Sequence, residues 1–252
     1  MNVLVIGESC IDEFEYGKCG RICPEAPVPI FAPLEEKINF GMSLNVLANL
    51  MSLDIPCNII TSKIRPIKKR YIDEVSNQML LRVDSNDNVD NLDWKKLNNI
   101  PFSEYEAVVI SDYDKGFLDR EQIRYIADAH PLTFMDTKKT LDEWCCNIKF
   151  VKINEKEYQE SWSFLHEGYR NNLIVTLGKR GATLNFRENF PIEDEHPVRD
   201  LTGAGDTFLA GLVASYLKDK DIPTAIKFAN KCAAWAVTQK GVAVVSLDKL
   251  KI

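Results

Sequence analysis

Short apolar runs recur at 3–6, 58–61, 107–111, 132–136, 150–153 and 173–177, with stretches of helical spacing between or after many of them. The helical stretches fall at 44–53, 120–129, 155–165, 207–217 and 224–239. Strands that alternate with helices require crossover connections, and these produce a mostly parallel sheet covered on both faces. Val108-Val109-Ile110 and Ile174-Val175 are continuously apolar rather than alternating, the pattern of strands buried on both sides. The expected fold class is therefore α/β.

Two regions break the alternation. Residues 13–33 contain Pro24, Pro27 and Pro29, which a helix or a central strand would not accept. Residues 67–84 hold Arg70-Tyr71-Ile72 and Met79-Leu80-Leu81-Arg82-Val83 with no helix between them. Both read as strands of a small β lid outside the main sheet. No internal repeat, low-complexity tract or linker divides the chain, so residues 1–252 read as one domain carrying that lid.

Composition narrows the function classes. With 45% apolar and 27% charged residues, 252 residues can bury a core without disulfide or metal support. A net charge of -6 argues against a nucleic-acid surface. The apolar run at the N-terminus stops at Gly7-Glu8, too short for a signal peptide, and no run reaches membrane-spanning length. A cytoplasmic protein is expected. The seven cysteines lack zinc-ribbon spacing and read as free thiols. His130, His166 and His196 stand apart from one another and from cysteine, which disfavours a metal site built on them. The four tryptophans share no period and read as packing residues.

One segment carries chemistry. In Asp200-Leu201-Thr202-Gly203-Ala204-Gly205-Asp206 two glycines permit tight backbone geometry immediately before a long helical stretch. Unpaired amides and the dipole at a helix start make an anion hole. Asp206 beside that hole has two readings: an N-cap for the helix, or a base that takes a proton from an attacking hydroxyl. No Gly-Lys-Ser/Thr follows, so this is not a Walker loop, and the third glycine of a dinucleotide fingerprint is missing.

The segment and the helix after it resemble the C-terminal signature of the ribokinase (PfkB-type) carbohydrate kinases, and further pieces match that family in order along essentially the whole chain. Gly7-Glu8-Ser9-Cys10-Ile11-Asp12 is similar to its opening strand-loop, which implies Glu8 and Asp12 as ligands of sugar hydroxyls. Gly41-Met42-Ser43-Leu44-Asn45 resembles its first signature, implying Gly41 and Asn45 at the sugar pocket. Asn154-Glu155-Lys156-Glu157 matches its Asn-x-x-Glu element, implying that Asn154 and Glu157 organise Mg²⁺ and phosphate through water. Val175 to Gly181 resembles its nucleotide-side strand and turn, implying Thr176, Gly178 and Gly181 near ATP together with Thr202. Asn230 falls where the family contacts adenine. The resemblance implies a ribokinase-like fold, a general base at Asp206, and charge neutralisation by the amides of Gly203, Ala204 and Gly205.

A narrower resemblance points to the heptose 7-phosphate kinases of bifunctional heptose kinase/adenylyltransferases. It rests on Tyr16-Gly17, on Arg21 to Pro29, on Asn77 to Asp84 and on Ser111-Asp112-Tyr113-Asp114-Lys115-Gly116. Asp136-Thr137-Lys138 stands where that group has Asp-Pro-Lys. The implied reaction is phosphorylation of an anomeric hydroxyl, with Lys115 and Lys68 or Arg70 as counter-charges for phosphate. In this family such lids pair between subunits, so a homodimer is implied.

The departures lie on the sugar side. Met42 replaces the second glycine of the first signature, Glu8 replaces the usual Asp, and a helix-strand pair is missing between Thr61 and Pro66. No adenylyltransferase domain is expected after Ile252. A sugar or nucleotide binder without catalysis, and a nucleoside kinase on the same fold, are the alternatives.

Overall fold

The computed structural model describes residues 2–166, 172–193 and 197–250. His196 lies outside the described residues, as does the side chain of His166. The main sheet begins with β1 (Val3–Gly7), whose alternate residues enter two different cores. Val3 and Val5 join the cluster that holds Val46, Leu50, Val109, Phe134, Phe208 and Leu212. Leu4 and Ile6 join Val108, Ile110, Ile123, Ile126, Met135 and Val151 on the other face. The period-two side-chain alternation of a strand thus divides one apolar run between two packed layers.

The lid consists of β2 (Ser9–Ile22), β3 (Pro29–Met42), β5 (Ile67–Asp73) and β6 (Gln78–Ser85), in the order β3-β2-β5-β6. Strand β2 pairs antiparallel with β3 and parallel with β5. The lid is therefore larger than the expected 13–33 and 67–84, because 34–42 also forms strand. Pro29 stands at the first position of β3, where a missing amide donor does no damage.

Helix α1 (Ser43–Ser52) returns the chain to the main sheet at β4 (Cys57–Ile60). From Ile60 the chain runs directly to Ile67 with no helix or strand between them, as the short segment required. A small helix, α2 (Trp94–Asn98), precedes β7 (Ala107–Asp112) and α3 (Arg120–Ala129), and then come β8 (Thr133–Thr137) and β9 (Phe150–Asn154). The expected helix at 155–165 is two short ones, α4 (Glu155–Glu160) and α5 (Trp162–His166), separated at Ser161. Strand β10 (Leu173–Thr176) is followed by a hairpin that the sequence did not reveal, β11 (Ala182–Leu184) and β12 (Glu188–Phe190). The long helices α6 (Ala204–Asp219) and α7 (Ile222–Ala236) close the fold.

The sheet order is β12-β11-β10-β9-β8-β7-β1-β4, parallel from β4 to β10 and antiparallel only at the β11 and β12 edge. Phe14, Tyr16 and Ile72 of the lid pack with Val242, which holds the lid's inner face against the segment that follows residue 236. No disulfide joins any of the seven cysteines, all of which lie among the described residues. His130 is held by the carbonyls of Leu132 and Tyr105, both at 3.0 Å. Among the described residues no helix is long and apolar enough to cross a membrane.

Candidate active site

The parallel strands β1, β7, β8, β9 and β10 end on the same edge, and the residues at or just beyond their C-terminal ends converge there. In an open parallel sheet ligands collect in this crevice. Helix α6 points its N-terminus into the crevice, starting at Ala204 rather than at the expected 207. Gly203 precedes it at φ 78°, and a Cβ on Gly203 would lie 2.6 Å from Asn45 Nδ2. Glycine is required there for both conformation and space.

Asp206, in the first turn of α6, is 2% exposed. Its Oδ1 accepts a hydrogen bond from the Tyr113 hydroxyl at 2.7 Å, and its Oδ2 accepts one from Asn45 Nδ2 at 3.2 Å. Asn49 steadies Asn45 by donating to its Oδ1 at 2.8 Å. The carboxylate therefore does not cap its own helix. Burial pushes the Asp206 carboxyl up to about 6, with Asp136 adding to the rise and the bonds from Tyr113 and Asn45 opposing it. A carboxylate tuned to that range can both hold and release a proton near neutral pH.

Beside it lies a cavity of about 730 Å³ lined by Tyr113, Asp136, Lys138, Lys152, Gly203, Ala204 and Gly205 among others. Lys152 is 3% exposed, and its ammonium pairs with Asp136 Oδ2 at 2.6 Å. A Cβ on Gly205 would stand 3.0 Å from Lys152 Nζ, so the second glycine lets the lysine approach the helix start. Lys138 bonds Glu157 and lies 3.9 Å from Asp136. Burial pulls the Lys138 ammonium down, but Asp136 and Glu157 outweigh it and hold it above its ordinary value. Two cations and a helix N-terminus thus face one cavity, an arrangement suited to phosphate groups.

Asn154 and Glu157 form a reciprocal cap on α4. The Asn154 side chain accepts from the Glu157 amide at 3.0 Å, and Glu157 accepts from the Asn154 amide at 2.7 Å. Glu157 also accepts from Asn154 Nδ2 at 2.7 Å and from Lys138, so direct ligation of a metal would displace a lysine. Asp136 Oδ1, by contrast, is buried without a hydrogen-bond partner and belongs to a residue that lines the cavity. Among the described residues no three His, Cys, Asp or Glu side chains gather around a common point. The donor set fits a magnesium ion that keeps most of its ligands as water and phosphate oxygen.

A second cavity of about 330 Å³ shares Thr176, Gly178, Leu201, Ala204 and Gly205 with the first and continues to Phe208, Asn230, Ala233 and Val237. Its apolar walls suit a flat base. Asn230 donates to the Phe190 carbonyl at 2.8 Å, which fixes its amide at one wall. Thr202 bonds Asp200 through its amide and its hydroxyl, at 2.8 and 2.7 Å. Gly181 has φ 85° in the turn between β10 and β11 and lines neither cavity.

The expected sugar-side residues are less alike than the sequence suggested. Glu8 is fully buried, and its oxygens accept from the amides of Tyr113, Lys115 and Phe117 at 2.8, 3.0 and 3.3 Å. It holds the loop after β7 rather than presenting a carboxylate to a hydroxyl. Burial, reinforced by Asp112, raises its carboxyl above the ordinary range. Asp12 and Arg70 form a lid ion pair at 2.6 Å, and a Cβ on Gly41 would fall 2.1 Å from Asp12 Oδ2. Lys115 pairs with Asp87. Lys68 lies over the Tyr113 ring, 5.2 Å from its centroid. The structure thus brings Asn45 to Asp206 and Lys68 close by, whereas Lys115, Arg70 and Glu8 are each engaged with other groups.

Sequence reasoning passed over Tyr113, Asp136, Lys138 and Lys152 as individual site residues, although three of them lie in the segments that resemble heptose kinases. A signal for Lys152 was available: a lysine inside a run expected to be buried on both faces needs a partner and a reason.

Comparison with known proteins supplies the lineage of this arrangement. Residues 46–250 match the model of the pfkB family carbohydrate kinases. The chain is 29% identical over 296 residues to the bifunctional protein HldE of a Nitratiruptor species, covering 99% of this chain and 64% of that protein. It is 30% identical over 305 residues to the bifunctional protein HldE of Helicobacter acinonychis, covering 99% and 65%. The chain thus spans a little under two thirds of the length of these relatives. Among solved structures, a ribokinase of Thermotoga maritima superposes with TM-score 0.75 at 18% identity, over 99% of this chain and 97% of that one. The Arabidopsis thaliana ribokinase complexed with ribose and ATP gives 0.73 at 15%, over 98% and 97%. The fold is ribokinase-like, and the chain belongs to the pfkB family of carbohydrate kinases.

Proposed function

We propose that this kinase transfers the γ-phosphoryl group of ATP to a hydroxyl of a sugar phosphate, a heptose 7-phosphate at its anomeric position being the favoured acceptor. The observation that carries the reading is the buried Asp206 carboxylate in the first turn of α6, beside a cavity faced by Lys138 and Lys152. Asp206 takes the proton of the acceptor hydroxyl as its oxygen bonds to the γ-phosphorus. The bond from that phosphorus to the bridging oxygen breaks, and ADP leaves with the electron pair. The amides of Gly203 and Gly205, with Lys152, face the transferring oxygens, the Ala204 amide joins them on releasing the Leu201 carbonyl to which it donates at 3.3 Å, and Lys138 balances charge beside Glu157. Asp136, with Glu157 through water, would hold Mg²⁺, which supplies neutralisation of phosphate charge when bound. Thr176, Gly178 and Asn230 form the nucleotide side, with Thr202 shaping the loop.

The lid gives the acceptor side. Asn45 fixes Asp206, and Lys68 offers a charge to an acceptor phosphate, as Arg70 and Lys115 would after exchanging partners. The resemblance of 21–29 and 111–116 to heptose 7-phosphate kinases, together with the HldE relatives, supports the choice of sugar.

On the outer face of the lid, a second copy of the chain accounts best for the apolar surface. Leu81 is 56% exposed, and Ile38, Phe40 and Val83 are also exposed on strands β3 and β6. Both strands lie at sheet edges, whose free amides and carbonyls invite pairing. Sedimentation should give a dimer that Leu81→Glu shifts to monomer; a monomeric wild type at micromolar concentration would end this part of the proposal.

The decisive experiment is product analysis with Mg²⁺-ATP and a panel of heptose phosphates, hexose phosphates and nucleosides, on wild type and Asp206→Asn. A heptose phosphate should be converted, and the variant should lose about 10²-fold or more in turnover with nucleotide affinity kept. Undiminished turnover by the variant refutes the base assignment. Phosphorylation of a nucleoside alone, or binding without product, refutes the substrate assignment.

A further inference from the structure

Tyr113 occupies a place that the reaction as described leaves without a role. It follows β7 on a loop held from beneath by Glu8, which accepts its amide at 2.8 Å. Its hydroxyl donates to Asp206 Oδ1 at 2.7 Å. Two ammonium groups stand over its ring, Lys68 Nζ at 5.2 Å and Lys138 Nζ at 5.4 Å from the centroid. Lys68 belongs to the lid strand β5, and Lys138 follows the body strand β8. Cations over an aromatic face are attracted to its quadrupole, so one lysine of the lid and one of the body both hold the ring.

We propose that Tyr113 is a positioning residue for the catalytic carboxylate, its ring clamped by Lys68 and Lys138 so that its hydroxyl fixes the orientation of Asp206 when the lid is down. The inference rests on the reading of Asp206 as the base. Asn45 holds one carboxylate oxygen and Tyr113 the other, so neither oxygen is free to turn toward its own helix amides. Each oxygen keeps a second lone pair, and an acceptor hydroxyl can use it. The phenol donates throughout and moves no proton of its own; burial, followed by Asp206, holds it well above its ordinary value.

The charged and titratable groups around Asp206 come from several elements: Cys10 of β2, Asp136 of β8, Lys138 beyond it, Lys152 of β9 and Tyr113 itself. Asp136 raises the Asp206 carboxyl, whereas Lys152 and the Tyr113 bond lower it. Removing only the hydroxyl leaves the other groups in place. Tyr113→Phe should therefore let Asp206 keep its proton to higher pH.

The test follows Asp206 directly, by carbon-13 NMR titration of aspartate carboxyls in the intact protein, with Asp206→Asn identifying the resonance. In wild type the midpoint is expected near 6, and in Tyr113→Phe it should move upward. In the product assay with Mg²⁺-ATP and heptose 7-phosphate, kcat should fall roughly 10-fold or more, as loss of a bond to a charged group implies. The acid limb of the rate profile should shift with the NMR midpoint. An unchanged midpoint in a Tyr113→Phe protein with wild-type circular dichroism overturns the proposal, and so does faster turnover, which would make the hydroxyl an obstruction. Failure of the underlying reading has a different signature: Asp206→Asn would turn over normally, while the carboxyl titration still reports whether Tyr113 holds the carboxylate.

Discussion

Met42 offers a test of backbone strain in which the usual order of two substitutions reverses. It ends β3 and precedes α1 with φ 59° and ψ -132°, and its side chain is 2% exposed. An L-residue with positive φ outside the small left-handed basin is strained by about 1–3 kcal/mol, and this ψ places Met42 toward the upper end. Met42→Ala keeps that strain and empties the site, at a cost of about 2–5 kcal/mol. Met42→Gly empties it too, but removes the strain. Against this, glycine costs about 0.5–1 kcal/mol more than alanine in conformational entropy. It also forgoes one buried methyl, worth about 0.8 kcal/mol. The balance favours glycine by about 1 kcal/mol. Both variants should be less stable than wild type, with Met42→Gly the better of the two. Urea titration followed by circular dichroism should separate their midpoints by about 0.3 M if the slope is about 3 kcal/mol/M. Equal midpoints, or a more stable alanine variant, would show that the backbone at 42 carries no strain.

Product formation plotted as kcat/KM against pH should fall on the acid side with an apparent pKa near 6. Burial raises the Asp206 carboxyl from its ordinary value to about 6, so activity is present above that pH and declines about tenfold per unit below it. Gly203→Ala should lower both stability and turnover, because the new Cβ would meet Asn45 Nδ2 at 2.6 Å while the backbone stays at φ 78°. Thermal melting should drop by several degrees, and a melt matching wild type would refute the steric account. Lys152→Met combined with Asp136→Leu should melt no lower than wild type yet lack turnover, whereas Lys152→Met alone should lose about 3–5 kcal/mol of stability.

The legible parts of the fold were those written as uninterrupted apolar character. Strands β1, β7 and β10 follow from it, β8 and β9 follow despite the buried Asp136 and Lys152, and helix α3 follows from the helical spacing of Ile123, Ile126 and Ala127. The stretch 34–42 was not read as strand, since Glu36 interrupts the alternation of Leu34, Ile38 and Phe40 and these apolar side chains are exposed rather than packed in the core. Strands β11 and β12 have three residues each, too few to show a period. Helix α6 begins at Ala204 because Gly203, at positive φ, supplies the turn; a reading that counts apolar spacing finds the helix only where its buried face begins. At the site, Asp206 and the glycine loop were visible because they are contiguous. The bond from Asn45 to Asp206 spans 161 positions and the Arg70 pair with Asp12 spans 58, so these partnerships arise only when helices and lid strands are packed. Glu8 shows the reverse: its type and place matched a sugar ligand, but the loop amides that occupy it are backbone groups, invisible in side-chain identity.

The charges at the sheet edge have a further meaning when weighed against stability. A buried lysine–aspartate pair gains little over well-packed apolar side chains, because desolvation of both ions offsets their attraction. Lys152 and Asp136 are nevertheless both almost fully buried, and Asp136 leaves one oxygen without a hydrogen bond. Lys138 adds a second cation between Asp136 and Glu157, so two ammonium groups and two carboxylates gather at one cavity. Packing alone does not call for this arrangement, whereas the proposed reaction, in which a polyphosphate and its cation bind here, would. The nucleotide would bring anionic oxygens to two ammonium groups already held in place, and a hard cation to a carboxylate oxygen already stripped of water. Reorganisation that would otherwise accompany transfer is thereby completed when the chain folds. The same logic extends to Asp206, whose two oxygens are fixed by Tyr113 and Asn45 before any acceptor arrives. Stability is lowered at one edge of the sheet so that the geometry of transfer exists in advance.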